Sequence, residues 1–212
     1  AYALLGKDSP PSLGRILNLR NSLIRAEKGG VLGVAELYSI GELLASLRAA
    51  KLFFQSRPDS APILYQLVTF FPEEPKLEFV LLDCLESDGE VKDTASTTLS
   101  ALRKRKFQAS ARILEKIQSY VSGKTREYLS DPLFTVRDGR YVIPVKSEHR
   151  AKIRGLIHDT SGTGQTVYVE PEDVLKAGND LREIEGLERE EIQRILADFS
   201  ARVGLVAAAT CP

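Results

Sequence analysis

Two long helical stripes bracket one short β-type segment, and that order constrains the fold more than any other feature of the chain. Between residues 93 and 122, Leu99, Leu102, Ala109, Ile113, Ile117 and Tyr120 recur at helical spacing and fill a sector roughly 80° wide. From Glu172 onward, Val174, Ala177, Leu181, Ile184, Ile192, Ile195, Phe199 and Val203 repeat the pattern, with Glu188 interrupting it. Sectors this narrow suit helices packed on one partner. The first stripe predicts a rod of about 40 Å, capped by Asp93 or Thr94, and the second a rod of comparable length. One helix would run out, the β module would sit at the tip, and the other helix would run back. The final stretch GLVAAATCP carries no such signal.

Residues 131–171 change period. Phe134-Thr135-Val136-Arg137, then Asp138-Gly139, then Arg140-Tyr141-Val142-Ile143 predicts a hairpin, because Asp-Gly supplies the positive φ angles of a type I′ turn. A two-residue loop sets Arg137 opposite Arg140 and Val136 opposite Tyr141. One face then holds Phe134, Val136, Tyr141, Ile143 and Val145, and the other Thr135, Arg137, Arg140, Val142 and Lys146. Two opposed arginines repel unless an anion or solvent relieves them. Ile153–His158 and Gln165–Glu170 read as a second strand pair around Ser161-Gly162-Thr163-Gly164. Before the first rod, residues 13–85 read as shorter helices broken by glycine and proline, with Leu13, Ile16, Leu37, Ile40, Leu44, Leu47, Ile63, Leu64, Leu67, Val68 and Phe71 as apolar positions. Asp88-Gly89-Glu90 marks a turn.

The fold class that follows is mainly α with a small β module. A helical core and outgoing helix occupy residues 1–130, a β-rich module 131–171, and a returning helix 172–212.

Charge is balanced overall, with 29 basic and 29 acidic residues, but it is not evenly spread. Residues 103–154 hold 14 basic against 5 acidic side chains, whereas residues 155–198 hold 4 against 11. Pairing between oppositely charged helices accounts for part of this, notably for Arg103, Lys104, Arg105 and Lys106. It does not reach Arg137, Arg140, Lys146, Arg150, Lys152 and Arg154, which belong to the β module and are the candidate phosphate contacts. The loop residues Ser161, Gly162, Thr163 and Gly164 are added as candidates for touching an anion. No base-reading helix or aromatic platform accompanies them, so backbone and shape recognition is expected.

Catalytic signals are weak. Ser122-Gly123-Lys124-Thr125 mimics the end of a phosphate-binding loop, but Gln118 stands where that motif needs glycine and a helix precedes it. His149 and His158 are the only histidines. His158 and Asp159, adjacent in a strand, point to opposite faces. No nucleophile or metal-ligand spacing is present, so no catalytic residue, metal or cofactor is expected here. The two cysteines, Cys84 in an apolar run and Cys211 near the end, form no disulfide framework, which points to the cytoplasm. Cys211 reads as the more reactive thiol. No apolar run is long enough to span a bilayer. With no methionine and Ala1 at its start, the chain is expected to be a piece of a longer product.

The stretches DPLFTVRDGRYVIPVKSEHR and GLIHDTSGTGQTVYVEP resemble the signature region of the MutS-two family, the second bacterial branch of MutS-like proteins. DGEVKDTAS upstream and NDLREIEGLEREEIQRIL downstream are similar as well. The resemblance implies a core and lever region ending in a clamp that closes on nucleic acid. It implies DNA, branched or double-stranded, as partner, with the ribosome as the alternative, and a homodimeric parent acting in recombination suppression, DNA repair or ribosome quality control. It also implies that ATP and Mg bind in an ATPase domain, and that an Smr endonuclease domain sits elsewhere in the parent.

Overall fold

The computed structural model describes residues 17–56 and 61–210. It divides into two compact units, one made of the chain up to Leu99 with the segment from Glu190 onward, the other of Ser100–Arg189. The division falls within the two long helices, so each helix contributes to both units. The architecture is α+β, mainly helical with one antiparallel sheet.

The first unit is helical. It contains α1 (Arg20–Glu27), α2 (Val34–Gln55), α3 (Pro62–Thr69) and α4 (Pro75–Cys84). Pro62 and Pro75 each open a helix, where the missing N–H is not needed. Leu37, Ile40 and Leu44 of α2 pack with Leu77, Leu81 and Cys84 of α4. Asp88-Gly89-Glu90 is a turn, closed by the antiparallel bridge between Leu85 and Val91, with Gly89 at φ 98°. Leu13 and Ile16 lie outside the described residues. The α3 set is less buried than its spacing suggests: Val68 is inside, while Ile63, Leu64 and Leu67 are exposed and Phe71, beyond the helix, is half-buried.

The long helices are α5 (Thr97–Ser122) and α6 (Glu172–Thr210). The cap of α5 is neither Asp93 nor Thr94. These form a 3-10 turn, Asp93–Ala95, and the Ser96 hydroxyl accepts the Leu99 N–H at 2.9 Å. At 39 residues, α6 is longer than expected, about 58 Å. Its last turns are not featureless: Val203 and Ala207 are buried, and a Cβ on Gly204 would lie 2.5 Å from the Ala26 carbonyl oxygen, so only glycine permits this approach. Leu32 N–H donates to the Ser200 hydroxyl at 2.8 Å in the same unit.

The second unit carries the sheet. Its strands are β1 (Thr135–Arg137), β2 (Arg140–Lys146), β3 (Gly155–Thr160) and β4 (Thr166–Pro171), in the order β1-β2-β4-β3 and all antiparallel. Asp138 and Gly139 have φ of 49° and 72°, and Arg137 pairs with Arg140 as the two-residue turn dictates. Ile143, Val145, Val167 and Val169 form one sheet face and pack with Ile113, Ile117 and Val121 of α5 and Val174 and Ala177 of α6. Within this unit α5 and α6 run antiparallel: Arg103 and Lys106 meet Glu188, and Tyr120 meets Asp173.

Two strand details differ from the periodicity. Val142, assigned to the polar face, is fully buried, so β2 is apolar on both sides. β3 starts at Gly155, not Ile153, because Ser147–Lys152 is a 3-10 turn and Ile153 drops into the core. A bulge at His158 then shifts the register between Ile157 and Asp159.

Candidate functional site

The six candidate cations separate into two groups. Arg140, Arg150 and Lys146 are half-buried and spent on the protein itself. Arg140 Nη2 donates to Asn179 Oδ1 at 2.8 Å, and its Nη1 lies 3.4 Å from Glu170 Oε1. Arg150 donates to the Ile153 and Gly155 carbonyls at 2.7 and 2.8 Å, pinning the turn that leads into β3. Lys146 Nζ donates to the Glu127 carbonyl at 3.0 Å. Of the two opposed hairpin arginines, Arg140 is thus turned to an internal acid, the Glu170 carboxylate.

Arg137, Lys152 and Arg154 are exposed. Lys152 and Arg154 flank the buried Ile153 and line an open cleft of about 460 Å³ with Tyr120, Thr125, Glu172, Asp173 and Lys176. The cleft's carboxylates are already engaged. Glu172 accepts from Lys176 at 2.7 Å, and this bond, helped by the more distant Arg154, holds its carboxyl below the ordinary range. Asp173 accepts from the Tyr120 hydroxyl at 2.8 Å and from Lys116 at 3.4 Å. Burial first, then the Asp173 carboxylate, pushes the Tyr120 phenol up to about 12, so it remains a neutral donor. With its acids occupied, the cleft presents Lys152 and Arg154 as positive charge directed to solvent.

The loop candidates divide similarly. Ser161 and Gly164 close a tight turn: Gly164 N–H donates to the Ser161 carbonyl at 2.8 Å, and the Ser161 hydroxyl accepts Thr166 N–H at 3.1 Å. Ser147 ties the turn down through the Gly164 carbonyl at 2.5 Å. Gly162 and Thr163 remain at the exposed corner. Ser122-Gly123-Lys124-Thr125 is a helix end followed by a 3-10 turn, not a phosphate cradle.

Among the described residues no group of His, Cys, Asp and Glu could hold a metal ion, and no helix is long and apolar enough to cross a membrane. Cys84 is buried, and burial raises its thiol pKa. Cys211 lies outside the described residues.

No family model matches the chain. It is 37% identical over 187 residues, 88% of its length, to a protein named Endonuclease MutS2 from Pelotomaculum thermopropionicum. A protein of the same name from Finegoldia magna is 36% identical over 206 residues, 96% of the chain, and one from Geobacillus thermodenitrificans 39% over 195 residues, 90% of the chain. The chain belongs to the MutS2 family. It spans about a quarter of the length of these relatives, 24% to 26%.

In this MutS2 segment the sheet depends on residues that sequence reasoning passed over. Glu170, 1% exposed, stands between Arg140 and His158, whose Nε2 is 2.8 Å from Glu170 Oε2. The alternation that would separate His158 from Asp159 is broken by the bulge, which sets both against Tyr168, and the partner of His158 across the sheet is not visible from spacing. Strand alternation marks Tyr168 only as a β position, yet its ring carries the Arg137 guanidinium at 4.7 Å. Glu188, the break in the α6 stripe, is 9% exposed and accepts from Arg103 at 3.1 Å and Lys106 at 2.8 Å.

Proposed function

We propose that the sheet-bearing unit grips the sugar-phosphate backbone of DNA, duplex or branched, through Arg137, Lys152 and Arg154. The observation that carries this is the division among the cations. Three are consumed by internal acceptors, and the other three stay exposed, Arg137 on β1 and Lys152 and Arg154 just before β3, where the neighbouring carboxylates of the cleft are already paired. Exposed cations without base-reading elements favour sequence-tolerant, salt-dependent binding. Gly162 and Thr163, exposed at the turn between β3 and β4, are accessory candidates. The unit binds rather than catalyses. ATP hydrolysis with Mg, and the endonuclease activity in the relatives' name, belong to sequence outside the matched quarter of a homodimeric cytoplasmic parent that suppresses recombination.

The same cations would meet ribosomal RNA equally well, since phosphates carry the contact in both cases. Fluorescence anisotropy of the 212-residue chain with labelled duplex and four-way junction DNA, across a salt series, tests the first reading. Lys152→Glu with Arg154→Glu should weaken binding at least tenfold and flatten the salt dependence. No binding by the unaltered chain at low salt would sink the proposal. Cosedimentation with ribosomes, competed by junction DNA, distinguishes the ribosomal reading.

A further inference from the structure

Arg137 belongs to β1, and Tyr168 to β4, with β2 between them. Neighbouring strands are about 4.8 Å apart, so the Arg137 side chain extends across β2 to place its guanidinium on the ring. Tyr168 pairs with Pro144 and so shares the face of Val142 and Arg137, opposite the α5- and α6-packed side. The ring is half-buried and sits on an inner strand, with β2 on one side and β3 on the other. Asp159 is opposite Tyr168 in register, yet it makes no ion pair with Arg137; its Oδ1 accepts Thr160 N–H at 2.8 Å. The Arg137 guanidinium thus lies on a fixed aromatic surface without a carboxylate across its donor edge.

A guanidinium is planar by itself, and one already held over a ring loses little further freedom when two of its N–H donors meet a phosphate. We propose that Tyr168 is a positioning residue for Arg137, laying it flat so that it engages one phosphodiester bidentately. This rests on the nucleic-acid reading of the unit and names how one of its contacts is made. Two consequences separate it from a simple charge effect. The ring face matters and the hydroxyl does not. Arginine is required at position 137, because lysine supplies the charge without the fork.

The test measures affinity for labelled duplex DNA at several salt concentrations. Tyr168→Phe should bind like the unaltered chain. Tyr168→Leu should bind about two- to fivefold more weakly with an unchanged salt slope, since the cation–π contact is lost but the charge stays. Arg137→Ala should lose more, and its slope should fall by about 0.9, one phosphate contact. Arg137→Lys keeps the slope and leaves Tyr168 intact, so it tests the idea even if Tyr168→Leu fails to fold; it should be as weak as Tyr168→Leu. Full binding by Arg137→Lys, or by a folded Tyr168→Leu, would overturn the positioning role while leaving the nucleic-acid reading intact. Unaltered binding by Arg137→Ala removes Arg137 from the site, and no binding by the unaltered chain removes the reading beneath it.

Discussion

His158 Nε2 lies 2.8 Å from Glu170 Oε2, and the same buried carboxylate holds Arg140 through its other oxygen. One side chain on β4 thereby connects the β1–β2 hairpin to the bulge of β3. Removing one partner of a buried ionic group leaves the other uncompensated, which typically costs about 3–5 kcal/mol. Glu170→Ala should therefore destabilise the sheet unit by about that amount in denaturant titrations, with Arg140→Ala comparable. The double variant should cost less than the two single losses together, because the partners are coupled. Additive losses would show that the pair does not act as a unit.

Gly155 and Gly162 should respond oppositely to alanine. A Cβ on Gly155 would sit 2.1 Å from the Glu170 carbonyl oxygen, a backbone atom that cannot swing away. Gly155→Ala should lose about 1–3 kcal/mol or fail to fold. Nothing lies within 4 Å of a Cβ on Gly162, so Gly162→Ala should be neutral or slightly stabilising. Thermal unfolding of both variants gives the comparison.

The start of α5 offers a choice between caps. Ser96 accepts Leu99 N–H and donates to Glu191 Oε1 at 2.6 Å, so Ser96→Ala should cost about 1–2 kcal/mol. Thr94 only donates to the Asp83 carbonyl at 3.2 Å and is exposed, so Thr94→Ala should cost less. A larger loss at Thr94 would reassign the cap.

Hydrogen bonds from Arg194 and Ser96 lower the Glu191 pKa to about 2. A carboxyl lowered on folding contributes stability above its unfolded pKa, near 4.3, and that contribution fades as pH falls through about 2. Glu191→Gln should therefore be less stable than the unaltered chain at pH 7, and the gap should close between about pH 4.5 and 2. A pH-independent difference in melting temperature would rule out this linkage.

Periodicity and turn chemistry determined a good deal without the structure. The Asp138-Gly139 turn fixed the hairpin register because only certain residues accept its backbone angles, and the narrow stripes of α5 and α6 marked helices covered on one side. Local signals could not reveal where a cation's donors would end. Arg137 and Arg140 look equivalent in sequence, facing each other across the turn. Glu170 and Asn179, 30 and 39 residues from Arg140, draw it inside, while Tyr168 holds Arg137 at the surface. Those partners come from other strands and from α6, so their distances exist only once the sheet has closed. The bulge at His158 escaped for the same reason, since Glu170 holds His158 from the neighbouring strand. The start of β3 escaped for a local one: Arg150 bonds the Ile153 and Gly155 carbonyls, three and five residues on, and strand alternation carries no trace of that turn.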